Sequence, residues 1–156
     1  MIIQAETAEH IEETRRLFRE YEAWLDVDLC FQSFEEELKN LPGKYAAPSG
    51  RLFMGYVGEK VAGCIALRKL DDEICEMKRL FVREDFRGSG LGRMLIENLI
   101  NEACAIGYQK LRLDTLPDKM PKAVELYRAY GFREIAPYYE NPHKTTLFME
   151  KDLFTA

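Results

Sequence analysis

Histidine is nearly absent from this chain of 156 residues: His10 and His143 are the only two. The four cysteines, Cys30, Cys64, Cys75 and Cys104, form no CxxC pair. Structural metal sites draw on clustered His and Cys at short spacing, so no metal is expected, and the cysteines read as reduced core thiols. No run of about 18 apolar residues is present for a membrane span, and Met1–Glu6 lacks the basic region and apolar stretch of a secretory leader. A cytoplasmic protein without a membrane partner is expected. Positive charge is in deficit, with 22 Lys and Arg against 27 Asp and Glu, a net charge of −5. Nonspecific nucleic-acid binding needs a basic surface to displace counterions, so no nucleic-acid partner is expected. No tract reads as a linker either. Residues 1–156 are therefore taken as a single domain, which at 47% hydrophobic residues can bury a core.

Apolar spacing organises the chain. Met1–Ala5 reads as a short strand, and Ile11, Thr14, Leu17, Phe18, Tyr21 and Leu25 predict a helix over residues 8–25. Ser33-Phe-Glu-Glu36 has the form of a capping box for a short helix stopping near Leu41-Pro42-Gly43. Strands at 51–57 and 61–68 are expected to form a hairpin through Gly58-Glu59-Lys60, followed by a strand at 73–83. Leu91, Leu95, Leu99 and Ala103, flanked by Met94, Ile96 and Ile100, give a wide apolar face to a helix ending at Gly107. Then come a strand at 110–114 with Leu111 and Leu113 on one face, a helix from Pro121 to Tyr130, a strand at 132–136 and a closing strand near 145–152. Antiparallel strands early and strand-helix-strand units later imply an α/β protein with a mixed, partly parallel sheet and helices on both faces.

The most informative stretch runs from Glu76-Met-Lys-Arg-Leu-Phe-Val82 into Arg87-Gly88-Ser89-Gly90-Leu91-Gly92. Glycines on alternate positions at the mouth of a helix leave its first N–H groups bare, so an anion approaches them without meeting a Cβ. The helix dipole and Arg87 add positive charge there. A dinucleotide fingerprint needs a third glycine where Arg93 stands, and no Gly-Lys-Ser/Thr is present for a P-loop. What remains is Arg-x-x-Gly-x-Gly after a strand. Farther on, Ala123-Val-Glu-Leu-Tyr127-Arg-Ala-Tyr-Gly131-Phe132 follows Pro121, which suits a first helical turn, and Gly131 suits the position just past a helix end.

Together these segments resemble the two signature motifs of the GCN5-related N-acetyltransferase (GNAT) superfamily: the acyl-CoA-binding turn, and a helix carrying an Ala and a Leu-Tyr pair that ends at Gly-Phe. The resemblance covers essentially the whole chain. It implies a twisted, mostly antiparallel sheet of roughly six to seven strands, splayed between the fourth and fifth, with the pantetheine arm in the opening. It also implies direct transfer of an acetyl group from acetyl-CoA to a primary amine in a ternary complex, with acetyl-CoA as cosubstrate and no metal. The cofactor contacts it implies are Leu80, Phe81, Val82, Arg87, Gly88, Ser89, Gly90, Leu91, Gly92 and Tyr127. Many relatives carry an asparagine three residues before the motif's alanine, where this chain has Met120. The Asp114–Asp118 loop is the alternative source of a polar group on that side.

Acyl transfer to an amine must remove the ammonium proton, supply donors to the developing oxyanion and protonate the departing thiolate. By resemblance Glu76 is the candidate base acting through water; otherwise it is an ion-pair partner of Lys78 or of a neighbouring strand. Tyr127 fills the slot of the general acid, or else is a buried aromatic beside Val124 and Tyr130. The family sets its acceptor with the first two helices and the loop before the last strand, here Tyr21, Trp24 and Leu25, Cys30 to Leu41, and Pro137 to His143. Trp24, Tyr138 and Tyr139 either wall an apolar amine or an aromatic amino acid or are packing, and Lys78, Arg79 and His143 suit a carboxylate-bearing acceptor or belong to a basic patch near CoA. The acids crowding the first quarter are a solvated face or a rim that attracts amines. A small-molecule amine or amino acid is the preferred acceptor. A protein N-terminus or lysine is the alternative, a non-catalytic acyl-CoA sensor the competing class, and a homodimer is left open.

Overall fold

The computed structural model describes residues 1–29 and 33–154. Its elements run β1 (Ile2–Gln4), α1 (Ala8–Leu25), α2 (Phe34–Asn40), β2 (Arg51–Val57), β3 (Lys60–Lys69), β4 (Ile74–Val82), α3 (Leu91–Ile106), β5 (Lys110–Thr115), α4 (Pro121–Ala129), β6 (Arg133–Ile135) and β7 (Leu147–Asp152). The strands form one seven-stranded sheet in the order β1-β2-β3-β4-β5-β7-β6, in which only the β4–β5 pair is parallel. This is the mixed, partly parallel α/β architecture that the sequence pattern implies, with the seven, mostly antiparallel strands that the family resemblance implies.

Local signals account for most of the element ends. α1 begins at Thr7, whose side chain accepts from the His10 N–H, while His10 Nδ1 accepts from the Thr7 N–H in return. α3 ends at Gly107, φ 108°, and α4 ends beside Gly131, φ 92°, both left-handed conformations in which a Cβ would be strained. The capping box expected at Ser33 is not made. Ser33 itself is left-handed, φ 56°, and its side chain gives α2 no capping bond.

The two faces of the sheet carry separate cores. Leu91, Leu95, Ile96 and Leu99 of α3 pack with Ile65, Leu67, Leu111 and Leu113 on one face, joined by Tyr127 of α4. Leu17 and Phe18 of α1 pack with Phe34 and Leu38 of α2 over Leu52, Met54, Cys64 and Phe81 on the other. Burial of this kind contributes roughly 1.5–3 kcal/mol per large side chain. Two glycines bring the start of α3 down onto the sheet. A Cβ on Gly55 would lie 2.7 Å from Leu91 Cδ1, and one on Gly63 would lie 3.3 Å from Leu91 Cδ2. Cys64 and Cys75 are buried and Cys104 partly so, all as free thiols, and burial pushes the Cys75 thiol up to about 12. Cys30 lies outside the described residues.

Two irregularities in β4 create the site. Opposite β3, Cys64 faces Phe81 and Ala66 faces Lys78, so the single residue Ile65 stands against Arg79 and Leu80. Arg79 takes the extra position with φ 60°, unusual for a residue with a long side chain. The bulge resets the alternation: Cys75, Met77, Leu80 and Val82 pack towards α3, while Phe81 turns to the core beneath α1. On its other side β4 pairs with β5 only over Ile74–Lys110, Cys75–Leu111 and Glu76–Arg112. Beyond Glu76 the two strands diverge and leave an opening through the sheet.

Candidate active site

The opening is lined from β4 by Met77, Lys78, Arg79 and Leu80 and from β5 by Leu113, Asp114 and Thr115. Tyr21 of α1 lines it on one face of the sheet, and Tyr127, in the core on the α3 face, forms its floor on the other, with Met120 also lining it. Tyr127 is 4% exposed and meets Phe132 edge-on at 5.7 Å. Burial raises its phenol above the ordinary value of 10, so it stays protonated across the physiological range.

At the mouth of α3, Gly88 and Gly90 have φ 84° and 87°, and nothing stands within 4 Å of where a Cβ on either would lie. Gly90 is the helix N-cap and supplies no side-chain cap, while Ser89 Oγ accepts from the Leu91 N–H at 3.3 Å. This is an open concavity backed by a helix dipole, the arrangement that takes phosphate. Arg87 precedes it in the chain and is held to one side, against Val82 and Trp24. Its Nε donates to the Val82 carbonyl at 3.1 Å, and its guanidinium stacks 4.4 Å from the Trp24 ring centroid. The residues present therefore fit a CoA, with cradle amides and Arg87 for the pyrophosphate and the strand opening for the pantetheine arm.

On the α1 face of the opening sits a polar array. Glu76 is wholly buried; its Oε1 accepts from Arg68 Nε at 2.7 Å and its Oε2 from the Tyr138 hydroxyl. Lys78 Nζ lies 4.0 Å from Glu76 Oε1 and 3.7 Å from Asp114 Oδ2. Asp114 Oδ2 also accepts from the Tyr139 hydroxyl at 2.8 Å, and Asn141 Nδ2 donates to that hydroxyl at 2.9 Å. Burial alone would raise the Glu76 carboxyl, but Lys78, Arg68 and the Tyr138 bond outweigh it and hold it below the ordinary 4.5. Burial lowers the Lys78 ammonium below 10.5 against the pull of Asp114.

The sequence-expected site residues are thus sorted into two groups. Arg87, Gly88, Ser89, Gly90, Leu91 and Gly92 gather at the cradle, and Trp24 joins them there against Arg87 and Phe81. Tyr138 and Tyr139 meet Phe148 edge-on at 5.2 Å each and hold Glu76 and Asp114 through their hydroxyls. Arg79 is spoken for: its Nε and a terminal nitrogen each lie 2.9 Å from a carboxylate oxygen of Glu37, and its guanidinium stacks on Phe34. The acids of the first quarter are largely paired as well, Glu12 with Arg15, Glu13 with Arg16, Glu20 with Arg83 and Glu35 with Arg19. Arg68 was singled out by no motif, and Asp114 and Thr115 entered the sequence reading only as part of the Asp114–Asp118 loop. The strand expected at 110–114 runs on to Thr115, and only the fold reveals that Asp114 meets Lys78 and the Tyr139 hydroxyl.

A strand opening beside a glycine-rich helix mouth, with a buried tyrosine at its floor, is the arrangement that the resemblance to acyl-CoA-dependent transferases implies. The model of the acetyltransferase (GNAT) family matches residues 11–132, and the chain belongs to that family. It is 33% identical to an uncharacterised N-acetyltransferase of Dictyostelium discoideum, over 88% of this chain and 92% of that one. Among solved structures, an acetyltransferase from Streptococcus agalactiae 2603 superposes with a TM-score of 0.78 at 25% identity over 97% of both chains. A GNAT family acetyltransferase from Elizabethkingia anophelis with acetyl-CoA bound superposes with a TM-score of 0.56 at 26% identity, over 67% of this chain and 76% of that one. The protein is an N-acetyltransferase, an acyltransferase of the EC 2.3.1 type. Among the described residues no helix is long and apolar enough to cross a membrane, and no group of His, Cys, Asp or Glu stands together as a metal site.

Removal of the Arg87 guanidinium is expected to weaken acetyl-CoA binding about tenfold, the low end for a charge-assisted bond because Arg87 must give up part of its stacking on Trp24. Calorimetry on Arg87→Ala at low and high salt checks this. The loss should shrink with salt and should be absent for pantetheine, which lacks the pyrophosphate.

Proposed function

We propose that the chain acetylates the primary amine of a small molecule, with the acceptor entering on the α1 face of the strand opening. The observation that carries this reading is a second cavity, walled by Tyr21 and Leu25 of α1 and by Asn141 and His143 of the loop before β7, which shares Arg79, Asp114 and Thr115 with the opening. A half-apolar, half-polar recess of this kind suits a compact amine better than an extended peptide. The paired state of Arg79, and the position of Lys78 between Glu76 and Asp114, favour recognition of the amine over recognition of an acceptor carboxylate.

Acetyl-CoA supplies an acyl thioester to this site. Asp114 is the carboxylate that lines both cavities, and it receives the ammonium proton, directly or through water. Glu76, with an oxygen given to each of Arg68 and Tyr138, positions Lys78 and the tyrosine loop. Tyr127, at the floor, donates to the departing sulfur.

Thiol release from acetyl-CoA across free amines, amino acids, amino-terminal peptides and lysine peptides tests the acceptor class. Turnover confined to peptides would replace the small-molecule reading with the protein-acceptor one. Stabilisation by acetyl-CoA without thiol release on any amine would favour a sensor. With the true acceptor in hand, Asp114→Asn is expected to lower kcat/KM about tenfold or more at neutral pH and to recover as pH rises, because an amine with a pKa near ~10 then loses its proton unaided. A pH-independent loss would remove Asp114 from that role.

A further inference from the structure

Thr115 ends β5 opposite Leu147 of β7, on the same strand face as Leu111 and Leu113. It is 6% exposed, and its hydroxyl is buried without a hydrogen-bond partner among the described residues. The residues that line the opening with it include the apolar Leu80, Leu113 and Met120 as well as Lys78, Arg79, Asp114 and Tyr127, yet none of them makes a hydrogen bond to this hydroxyl. An unmade bond on a buried hydroxyl costs on the order of 1–3 kcal/mol, and valine would fill the same shape in a strand without that cost. Native proteins satisfy nearly all such groups. An orphan donor at this position therefore points to a partner that arrives with a ligand.

Its place in the fold narrows what that partner is. Thr115 lines both the strand opening and the adjoining acceptor cavity, so it stands where the two meet. Met120, beside it, offers no hydrogen-bond donor at the helix entrance. Lys78 and Arg79 supply donors on the α1 face of the opening and Asp114 an acceptor, whereas Leu80, Leu113 and Met120 supply neither. The Thr115 hydroxyl is therefore a donor for a ligand acceptor at that point, and a carbonyl oxygen of an acylated pantetheine arm is such an acceptor. We infer that the Thr115 hydroxyl donates to such a carbonyl oxygen and so positions the acyl group between Tyr127 and Asp114. This rests on the reading of the opening as the acyl-CoA channel. It makes Thr115 a positioning residue in place of the polar group that Met120 does not provide.

Thr115→Val tests the inference because its two expected effects have opposite signs. With no ligand, the variant should melt at the wild-type temperature or a few degrees above it, since an unsatisfied buried hydroxyl has been replaced by a methyl of the same shape. Its Kd for acetyl-CoA should rise about fivefold by calorimetry, the worth of one hydrogen bond. Thr115→Ser, which keeps the hydroxyl, should restore the affinity. Free CoA locates the carbonyl: loss for acetyl-CoA alone identifies the thioester, equal loss for both identifies a pantetheine amide, and either supports the inference. A lower melting temperature together with wild-type acetyl-CoA affinity in Thr115→Val would overturn it and leave Thr115 as a packing residue. Failure of the wild-type protein to bind CoA or acetyl-CoA at all would instead overturn the underlying channel.

Discussion

Tyr127→Phe is expected to lower kcat roughly 10²-fold or more while leaving the melting temperature and acetyl-CoA affinity near those of the wild type. The ring is 4% exposed and packed against Phe132, and phenylalanine keeps that contact, so the fold has little reason to change. What is lost is the only part of the side chain that can donate. Burial raises this phenol above its ordinary value, whereas a thiol has a pKa near ~8.5, so full proton transfer to the sulfur is uphill by about 2 kcal/mol or more. The physically consistent role is therefore a hydrogen bond that stabilises the thiolate as it leaves, with the final proton coming from solvent. A solvent-exchangeable donor of this type predicts a flat pH dependence for the Tyr127 contribution between about pH 6 and 9. Steady-state rates with the identified acceptor decide it: full turnover by Tyr127→Phe would leave the site working through positioning and backbone donors alone.

The contrast between what the sequence made legible and what it concealed follows the range of the interactions involved. Element ends were readable wherever one or two adjacent residues determine them, as at Gly107 and Gly131, or where apolar spacing is regular, as in α1, whose predicted span matches the observed Ala8–Leu25. The cradle was readable for the same reason, being contiguous in sequence. The bulge was not. A left-handed Arg79 carries no local signature, because its conformation is held by the distant Glu37 and by the backbone pairing of β3 against β4. The polar array on the α1 face was legible only as a set of residue types. Tyr138 and Tyr139 were recognisable as aromatic walls, but their hydroxyls reach Glu76 and Asp114 from 62 and 25 residues away. Trp24, grouped with those tyrosines by chemistry, stacks on Arg87 at the cradle because α1 runs over the end of β4 at Phe81.

Glu76→Gln is expected to destabilise the protein by about 3 kcal/mol, the low end for breaking a buried pair, because Lys78 retains Asp114 and Arg68 keeps partial access to water. In a domain of this size that is roughly 6–12 °C in melting temperature. The sign of its pH dependence follows from the lowered Glu76 carboxyl. Between the depressed native value and the ordinary 4.5, the unfolded chain binds more protons than the folded one, so stability rises with pH in that window. The contribution is complete above about 4.5 and is lost as pH falls through the native value. Glutamine cannot titrate, so the variant should start less stable at neutral pH and show a shallower decline below about pH 4.5, the two curves converging in acid. Denaturant melts from pH 3 to 8 measure this directly. Parallel curves would mean that Glu76 is not the ionised anchor of Lys78, Arg68 and Tyr138. A variant of unchanged stability whose catalytic loss is rescued by raising pH would return the proton-accepting role to Glu76 and leave Asp114 as the residue that holds Tyr139.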